Sequence, residues 1–169
     1  MRSFYWLVPD VLAGCGRPGH RVRTFWRAVD ATSPNGLAAL DEDLAWLRER
    51  GIAAILSLTE TPLAAAIVAR HDLAVLHVPV DDLTAPTPEQ LDLALSFIDR
   101  QRALDHPVAV HCLMGQGRTG TILAAYLIRD GLDPDAAVQR VRAVCPGAVE
   151  SAEQRRALHA FSGRRDWIV

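Results

Sequence analysis

The chain has 169 residues, half of them hydrophobic and 22% charged, with 18 basic and 20 acidic side chains for a formal charge of -2. That length suits a single domain over residues 1–169 with a real core, and so apolar a composition excludes a disordered chain. The near-neutral balance excludes a strong global pull toward nucleic acid or anionic lipid, although a local basic mouth is compatible with it.

In chain order, two short strands are expected near residues 4–8 and 11–13. Gly14-Cys15-Gly16-Arg17-Pro18-Gly19 follows as loop chemistry, and Ser33-Pro34-Asn35-Gly36 reads as a turn. Residues 37–50 place Leu37, Leu40, Leu44 and Leu47 on one helical face, with Gly51 at the C-cap. Residues 52–58 form a short apolar run typical of a buried strand. A helix over 63–70 and a strand over 73–78 come next, then a loop holding Asp81, Asp82 and Pro86. Thr87-Pro88 opens a helix that runs to about residue 104. Residues 107–111 form a strand. Residues 121–129 read as a helix apolar almost all round, the pattern of a core helix. Helices over 134–144 and 151–162 close the chain. Strands alternating with helices predict an α/β fold, with a central, mostly parallel sheet of four to five strands flanked by helices.

The purest apolar stretch, Ile122 to Ile128, is far shorter than the roughly 20 residues of a membrane-spanning helix, so no membrane partner is expected. The apolar run at residues 4–8 ends at Pro9 and Asp10, too short for a signal peptide. Cys15, Cys112 and Cys145 are odd in number and far apart, which predicts reduced thiols and a cytoplasmic protein. His20, His71, His77, His106 and His159 lack metal-ligand spacing, so neither metal nor cofactor is expected. Trp6, Trp26, Trp46 and Trp167 read as packing residues.

The informative segment is strand, then Cys112-Leu113-Met114-Gly115-Gln116-Gly117-Arg118, then helix. A loop between a strand's end and a helix's N-terminus turns several backbone N–H groups inward, and glycines let them approach a ligand. The helix dipole adds partial positive charge, which makes an anion site. The same amides favour the thiolate of a cysteine at the start of the loop and make it a nucleophile. Arg118, after five intervening residues, can hold two phosphate oxygens with its planar guanidinium. That set suits phosphoryl transfer, where positioning and charge stabilisation dominate. Thr119 can offer its hydroxyl to the sulfur, and His111 can hold the loop by hydrogen bonds. Cys15 and Cys145 read as small buried hydrophobes.

The segment HCLMGQGRTG resembles the HCxxGxxRTG signature of the protein tyrosine phosphatase superfamily. The likeness to its small atypical dual-specificity members, and to compact prokaryotic tyrosine phosphatases, extends over nearly the whole chain. Residues 4–9 with 12–14 resemble the family's opening strands, residues 56–60 its SLTE segment, and residues 146–154 the segment before its last helix. Residues 15–36 look like an insertion. The resemblance implies a cysteinyl-phosphate mechanism without metal, acting on a phosphoprotein. Leu113, Met114, Gly115, Gln116 and Gly117 would bind the phosphate, and a loop aspartate would act as general acid. Asp82 matches that acid, while Asp81 stands where the family has proline; either could reach if the loop moves. Glu150 and Gln154 match a segment near the site and would orient Arg118 or the hydrolytic water, although Gln154 reads equally well as an exposed helix residue. Glu60 follows a strand, where α/β sheets place functional loops.

The substrate loop holds no basic residue, which argues against a polyphosphoinositide. No pocket-deepening segment is evident, so a shallow site and dual specificity toward phosphotyrosine and phosphoserine or phosphothreonine are expected. Nucleic acid is a weaker expectation. RNA 5′-phosphatase activity would draw on a basic patch of Arg17, Arg21, Arg23 and Arg27. A silent phosphate-binding module is the alternative from outside enzymes.

Overall fold

The computed structural model describes residues 3–20, 22–24, 27–28 and 32–164. Its strands are β1 (Tyr5–Val8), β2 (Leu12–Cys15), β3 (Val22–Thr24), β4 (Arg27–Ala28), β5 (Ala54–Ser57), β6 (Ala74–His77) and β7 (Val108–His111). Its helices are α1 (Pro34–Glu49), α2 (Ala65–Val68), α3 (Pro88–Arg102), α4 (Gly117–Arg129), α5 (Pro134–Val144) and α6 (Ala152–Ser162).

Five strands make one sheet in the order β1-β2-β7-β5-β6. Only β1 runs antiparallel to its neighbour; β2, β7, β5 and β6 are parallel. The expected strand count and direction are met. β3 and β4 form a separate two-stranded ribbon within the segment read as an insertion.

Alternation along the strands feeds two cores, one on each face. Leu56, Val108 and Val110 point to the face covered by α3, α4, α5 and α6. Ala13, Ile55 and Ala109 point to the other face, against Leu40, Leu44 and Leu47 of α1. β5 and β7 are buried along their full length because both faces are covered, which explains their unbroken apolar runs.

Helix α4 is buried at every position except Leu127 and Arg129. Burying each of Ile122, Leu123 and Ile128 contributes about 1.5–3 kcal/mol, so this helix anchors the loop before it.

Three expectations need correction. Ser33-Pro34-Asn35-Gly36 is not a free turn: the Ser33 hydroxyl accepts the Gly36 N–H at 3.1 Å and Pro34 occupies the first helical position, so α1 starts there. The helix expected over 63–70 is one turn, Ala65–Val68, without a side-chain cap. Helix α4 begins at Gly117 rather than at residue 121, which places Arg118 and Thr119 in its first turn. Trp26 and Trp167 lie outside the described residues.

Candidate active site

The site sits at the C-terminal ends of β5 and β7. Parallel strands bring Ser57 and His111 into register, so the loops after them emerge side by side. From β7 the chain enters Cys112–Gln116 and then α4. From β5 it enters the turn that carries Thr59 and Glu60.

The phosphate-type loop is tightly held. Gly115 has φ +78°, and an added Cβ would lie 2.5 Å from the Cys15 carbonyl carbon. Only glycine takes that conformation and that approach without strain. Below the loop, the Tyr5 hydroxyl donates to the Gly115 carbonyl at 2.8 Å. Burial first, and the neighbouring cysteines next, push the Tyr5 phenol well up, so it stays a donor. The Arg17 N–H donates to the Leu113 carbonyl at 3.0 Å. At Gly117 a Cβ would run into the Glu150 carboxylate, so that glycine lets the 146–150 turn press against the start of α4.

Cys112 is 3% exposed, and Met114 at the rim is 49% exposed. Leu113 and Gln116 are half-buried. His111 is fully buried; its Nδ1 lies 3.3 Å from the Cys112 carbonyl, fitting a donated hydrogen bond that steadies the loop. Burial is the main cause that pushes its imidazole down to about 3, so the ring is neutral. The buried Thr119 hydroxyl has no hydrogen-bond partner among the described residues, the Cys112 sulfur included.

Arg118 is 2% exposed and collects the acidic loops. Its Nη1 donates to the Val80 carbonyl at 2.8 Å and pairs with Glu60 Oε1 at 3.1 Å; its Nη2 pairs with Asp82 Oδ1 at 2.8 Å. The Asp82 backbone N–H also donates to Glu60 Oε1 at 3.0 Å. Glu60 therefore ties Arg118 to the loop that carries Asp82. Its carboxyl is held below the usual range by its own backbone N–H first, with Arg118 adding to that effect.

Glu60 is steadied in turn. His77 Nε2 bonds the Thr59 carbonyl at 2.7 Å, and the Arg17 guanidinium donates to the Thr59 hydroxyl, to the Thr61 carbonyl at 2.7 Å and to the Pro62 carbonyl at 2.9 Å. Arg17 is thus turned into the structure and does not belong to an exposed basic patch. Arg21 and the side chains of Arg23 and Arg27 lie outside the described residues.

The two aspartates differ. Asp82 contacts Arg118, whereas the Asp81 backbone carbonyl accepts the Thr84 N–H and hydroxyl and closes the turn. Gln154 is not an exposed helix residue. It is fully buried, its Nε2 donates to the Thr84 carbonyl at 3.0 Å, and its Oε1 accepts the Glu150 N–H at 2.9 Å. It locks the loop that carries Asp82 to the 146–150 turn beside the start of α4. No hydrogen bond or ion pair joins Glu150 or Gln154 to Arg118 among the described residues.

Tyr5, Arg17 and His77 have no motif to announce them. Their one sequence signal is position, at or just beyond the C-terminal end of a strand for Arg17 and His77.

Residues 29–132 match the family described as polymorphic toxin system, DSP-PTPase phosphatase. The chain belongs to that family. The resemblance to the protein tyrosine phosphatase superfamily stands with it. The chain is 29% identical to Tk-PTP, whose solved active form superposes with a TM-score of 0.76 over 96% of this chain and 97% of that one. It is 27% identical over 143 residues to phosphatidylglycerophosphate phosphatase PTPMT2 of Arabidopsis thaliana, covering 82% of this chain. It is 28% identical to protein tyrosine phosphatase type IVA 3 of Bos taurus, covering 69% of this chain and 68% of the relative. The chain spans 63% of the length of PTPMT2 and a smaller share of each of three further curated relatives it matches. No described helix is long and apolar enough to cross a membrane.

Proposed function

We infer that this chain hydrolyses phosphate monoesters through a cysteinyl-phosphate intermediate. One observation carries the reading. The buried Arg118 guanidinium lies in the first turn of α4, on the same loop as Cys112, and holds the Asp82 carboxylate at 2.8 Å. That contact sets the Asp82 loop against the first turn of the helix that follows Cys112, which supports a shared site for nucleophile, phosphate clamp and acid.

The steps follow from that placement. A substrate phosphate dianion displaces Asp82 from Arg118 and takes two of its N–H groups. The Cys112 sulfur attacks phosphorus while the ester P–O bond breaks. Asp82, freed from the ion pair, takes a proton from solvent, or in later turnovers keeps the one taken from the hydrolytic water, and gives it to the leaving oxygen. The loop N–H groups of 113–118 stabilise the charge spread over the transferring phosphoryl oxygens. In the second half, Asp82 as carboxylate takes a proton from water, which attacks phosphorus and breaks the P–S bond. The Thr119 hydroxyl, buried without a partner, turns to the departing sulfur. Gln154 keeps the acid loop over the site. The free, buried cysteines fit a reducing, cytoplasmic setting.

The substrate reading is phosphotyrosine, with phosphoserine and phosphothreonine admitted by a shallow mouth. Met114 and Leu83, exposed beside Cys112 and Asp82 in the chain, offer apolar contact to a leaving group. A second reading is a phospholipid monoester, as the name of PTPMT2 suggests. A groove of about 370 Å³ lined by Pro86, Leu91, Ala157, Ala160 and Phe161, next to the end of the acid loop, favours it.

The test is p-nitrophenyl phosphate hydrolysis in EDTA, compared for the wild type, Cys112→Ser and Asp82→Ala. Turnover that vanishes in the first variant and drops about 10²–10⁴-fold in the second is expected. A folded, reduced wild type with no turnover would overturn the reading. Relative kcat/KM on a phosphotyrosine peptide and on micellar phosphatidylglycerophosphate then decides between the substrates.

A further inference from the structure

The loop that leaves β2 is more tightly built than its glycines suggest. The Arg17 N–H donates to the Leu113 carbonyl at 3.0 Å, and the His20 N–H closes a turn on the Arg17 carbonyl at 3.1 Å. Between them, the Gly19 N–H donates at 2.8 Å to the carboxylate of Asp43, which is buried in α1. Pro18 fixes its own φ. The same segment presses on the phosphate-type loop, since a Cβ on Gly115 would strike the carbonyl carbon of Cys15 and the nitrogen of Gly16. Arg17 therefore starts from a backbone anchored to α1 on one side and to the Cys112 loop on the other.

Its side chain leaves that base for a different loop. In the sheet β7 lies between β2 and β5, with His111 opposite Cys15 on one side and Ser57 on the other. Arg17 follows β2, whereas its three acceptors, the Thr59 hydroxyl and the Thr61 and Pro62 carbonyls, follow β5. The guanidinium thus bridges the loops after the two strands that flank β7, the strand that leads into Cys112. Its charge reaches the end of β7: burial first, and Arg17 next among the lowering influences, holds the His111 imidazole down. All three acceptors are neutral, and they enclose Glu60 in the chain, Thr59 just before it and Thr61 and Pro62 just after. A planar fork serves three such acceptors at once, which a single ammonium does less well.

Glu60 depends on that hold. Its side chain is half exposed, yet it meets Arg118 Nη1 and the Asp82 N–H together. A long side chain on a loop keeps two such contacts only where its backbone is fixed, because water and rotamer freedom oppose them. His77 steadies the Thr59 carbonyl from β6, and Arg17 steadies the turn from the side of the Cys112 loop.

We propose that Arg17 is a positioning residue for phosphoryl transfer, which sets the Glu60 turn at a fixed distance from the Cys112 loop and acts on Arg118 and Asp82 through Glu60. The proposal rests on the monoester reading and gives the entrance of the 15–36 segment a part in the reaction.

The test is a double-mutant cycle in the full chain with p-nitrophenyl phosphate, under conditions where urea titration shows every variant folded. Arg17→Met keeps an apolar stem and removes the donors. It is expected to lower kcat about tenfold, the size in rate of one lost hydrogen bond to a charged group, with KM within about threefold. In the Glu60→Ala background the same change costs less than about twofold, because the contacts it works through are already gone. Arg17→Lys recovers part of kcat; if Arg17→Met does not fold, Arg17→Lys takes its place in the cycle, with a loss of about threefold expected. An Arg17→Met kcat within about twofold of the wild type, or an equal fractional loss with and without Glu60, overturns the proposal. The second of these results would make Arg17 a support of the fold in general. A folded wild type that turns nothing over removes the hydrolase reading by itself. The strut is then read from hydrogen exchange at the Asp82 amide by NMR. Faster exchange in Arg17→Met, matched in Glu60→Ala, upholds it, and exchange at the wild-type rate overturns it.

Discussion

Glu60 offers the sharpest probe of how the site is held, because one carboxylate joins two machines. In Glu60→Ala, Arg118 loses its partner at 3.1 Å and the Asp82 N–H loses its acceptor at 3.0 Å. A hydrogen bond to a charged group contributes about 1.5–3 kcal/mol when sheltered. The Glu60 side chain is 49% exposed, so water and salt screen both contacts and about 1 kcal/mol each is the fair value. Together they give about 2 kcal/mol of transition-state stabilisation, or roughly 30-fold in rate. One effect opposes this: Arg118 is relieved of an anion that competes with phosphate, which lowers KM. The expected outcome is thus a fall of about 10- to 50-fold in kcat for p-nitrophenyl phosphate, with KM unchanged or lower. Glu60→Gln, which can still accept the Asp82 N–H, falls less. Urea unfolding should move by up to about 2 kcal/mol, since both contacts are also lost from the resting fold. A kcat within twofold of the wild type would refute the idea that Glu60 positions the clamp and the acid loop.

Tyr5→Phe leaves the Gly115 carbonyl without its donor; a stability loss of about 1–2 kcal/mol with a reduced kcat is expected, read by urea denaturation and steady-state kinetics. Gly115→Ala meets both a positive φ and the Cys15 backbone, which cannot move aside, so a loss of about 2–4 kcal/mol and at least 100-fold in kcat/KM is expected. His111 supplies a pH prediction. Its ordinary value of 6.5 falls to about 3 in the fold, so below pH 6.5 the unfolded chain takes up a proton that the folded chain refuses. This contribution to stability is complete above about pH 6.5 and is lost as pH falls toward 3, at up to about 1.4 kcal/mol per unit. Urea midpoints at pH 7, 5.5 and 4.5 check it, and His111→Gln flattens the slope.

The strand–loop–helix unit from Cys112 to Arg118 could be read from sequence because it is local: five residues between a strand and a buried helix leave few ways to arrange the amides. The layer order was legible for a similar reason, since period-2 and period-3.6 patterns report burial directly. What stayed hidden depends on contacts between distant segments. Glu60 stands out in the sequence only as a carboxylate after a strand, and its partner Arg118 is supplied by the β5–β7 register. Gln154 sits on a helix whose polar sequence suits solvent, yet the acid loop covers it. Tyr5 reaches Gly115 across 110 residues, a separation that no spacing rule encodes. Arg17, expected at an open basic patch, instead braces the Glu60 turn. The apolar pattern alone places the start of α4 four residues late, because glycines weaken helical signals that tertiary burial then overrides.

The strand order has a consequence for the chain as it is made. β7 lies between β2 and β5, and its partner residue in β2 is Leu12, while its own is Val108. Those positions are 96 residues apart, from 108 minus 12. At the usual pace of about 5–20 residues per second, the ribosome needs roughly 5–20 s to supply the strand that joins them. Until then the β1–β2 hairpin and the β5–β6 pair are separate pieces, each with an open edge facing water. Any helper that shields a nascent chain would find its target in those two edges, and a pause placed before residue 108 would prolong their exposure.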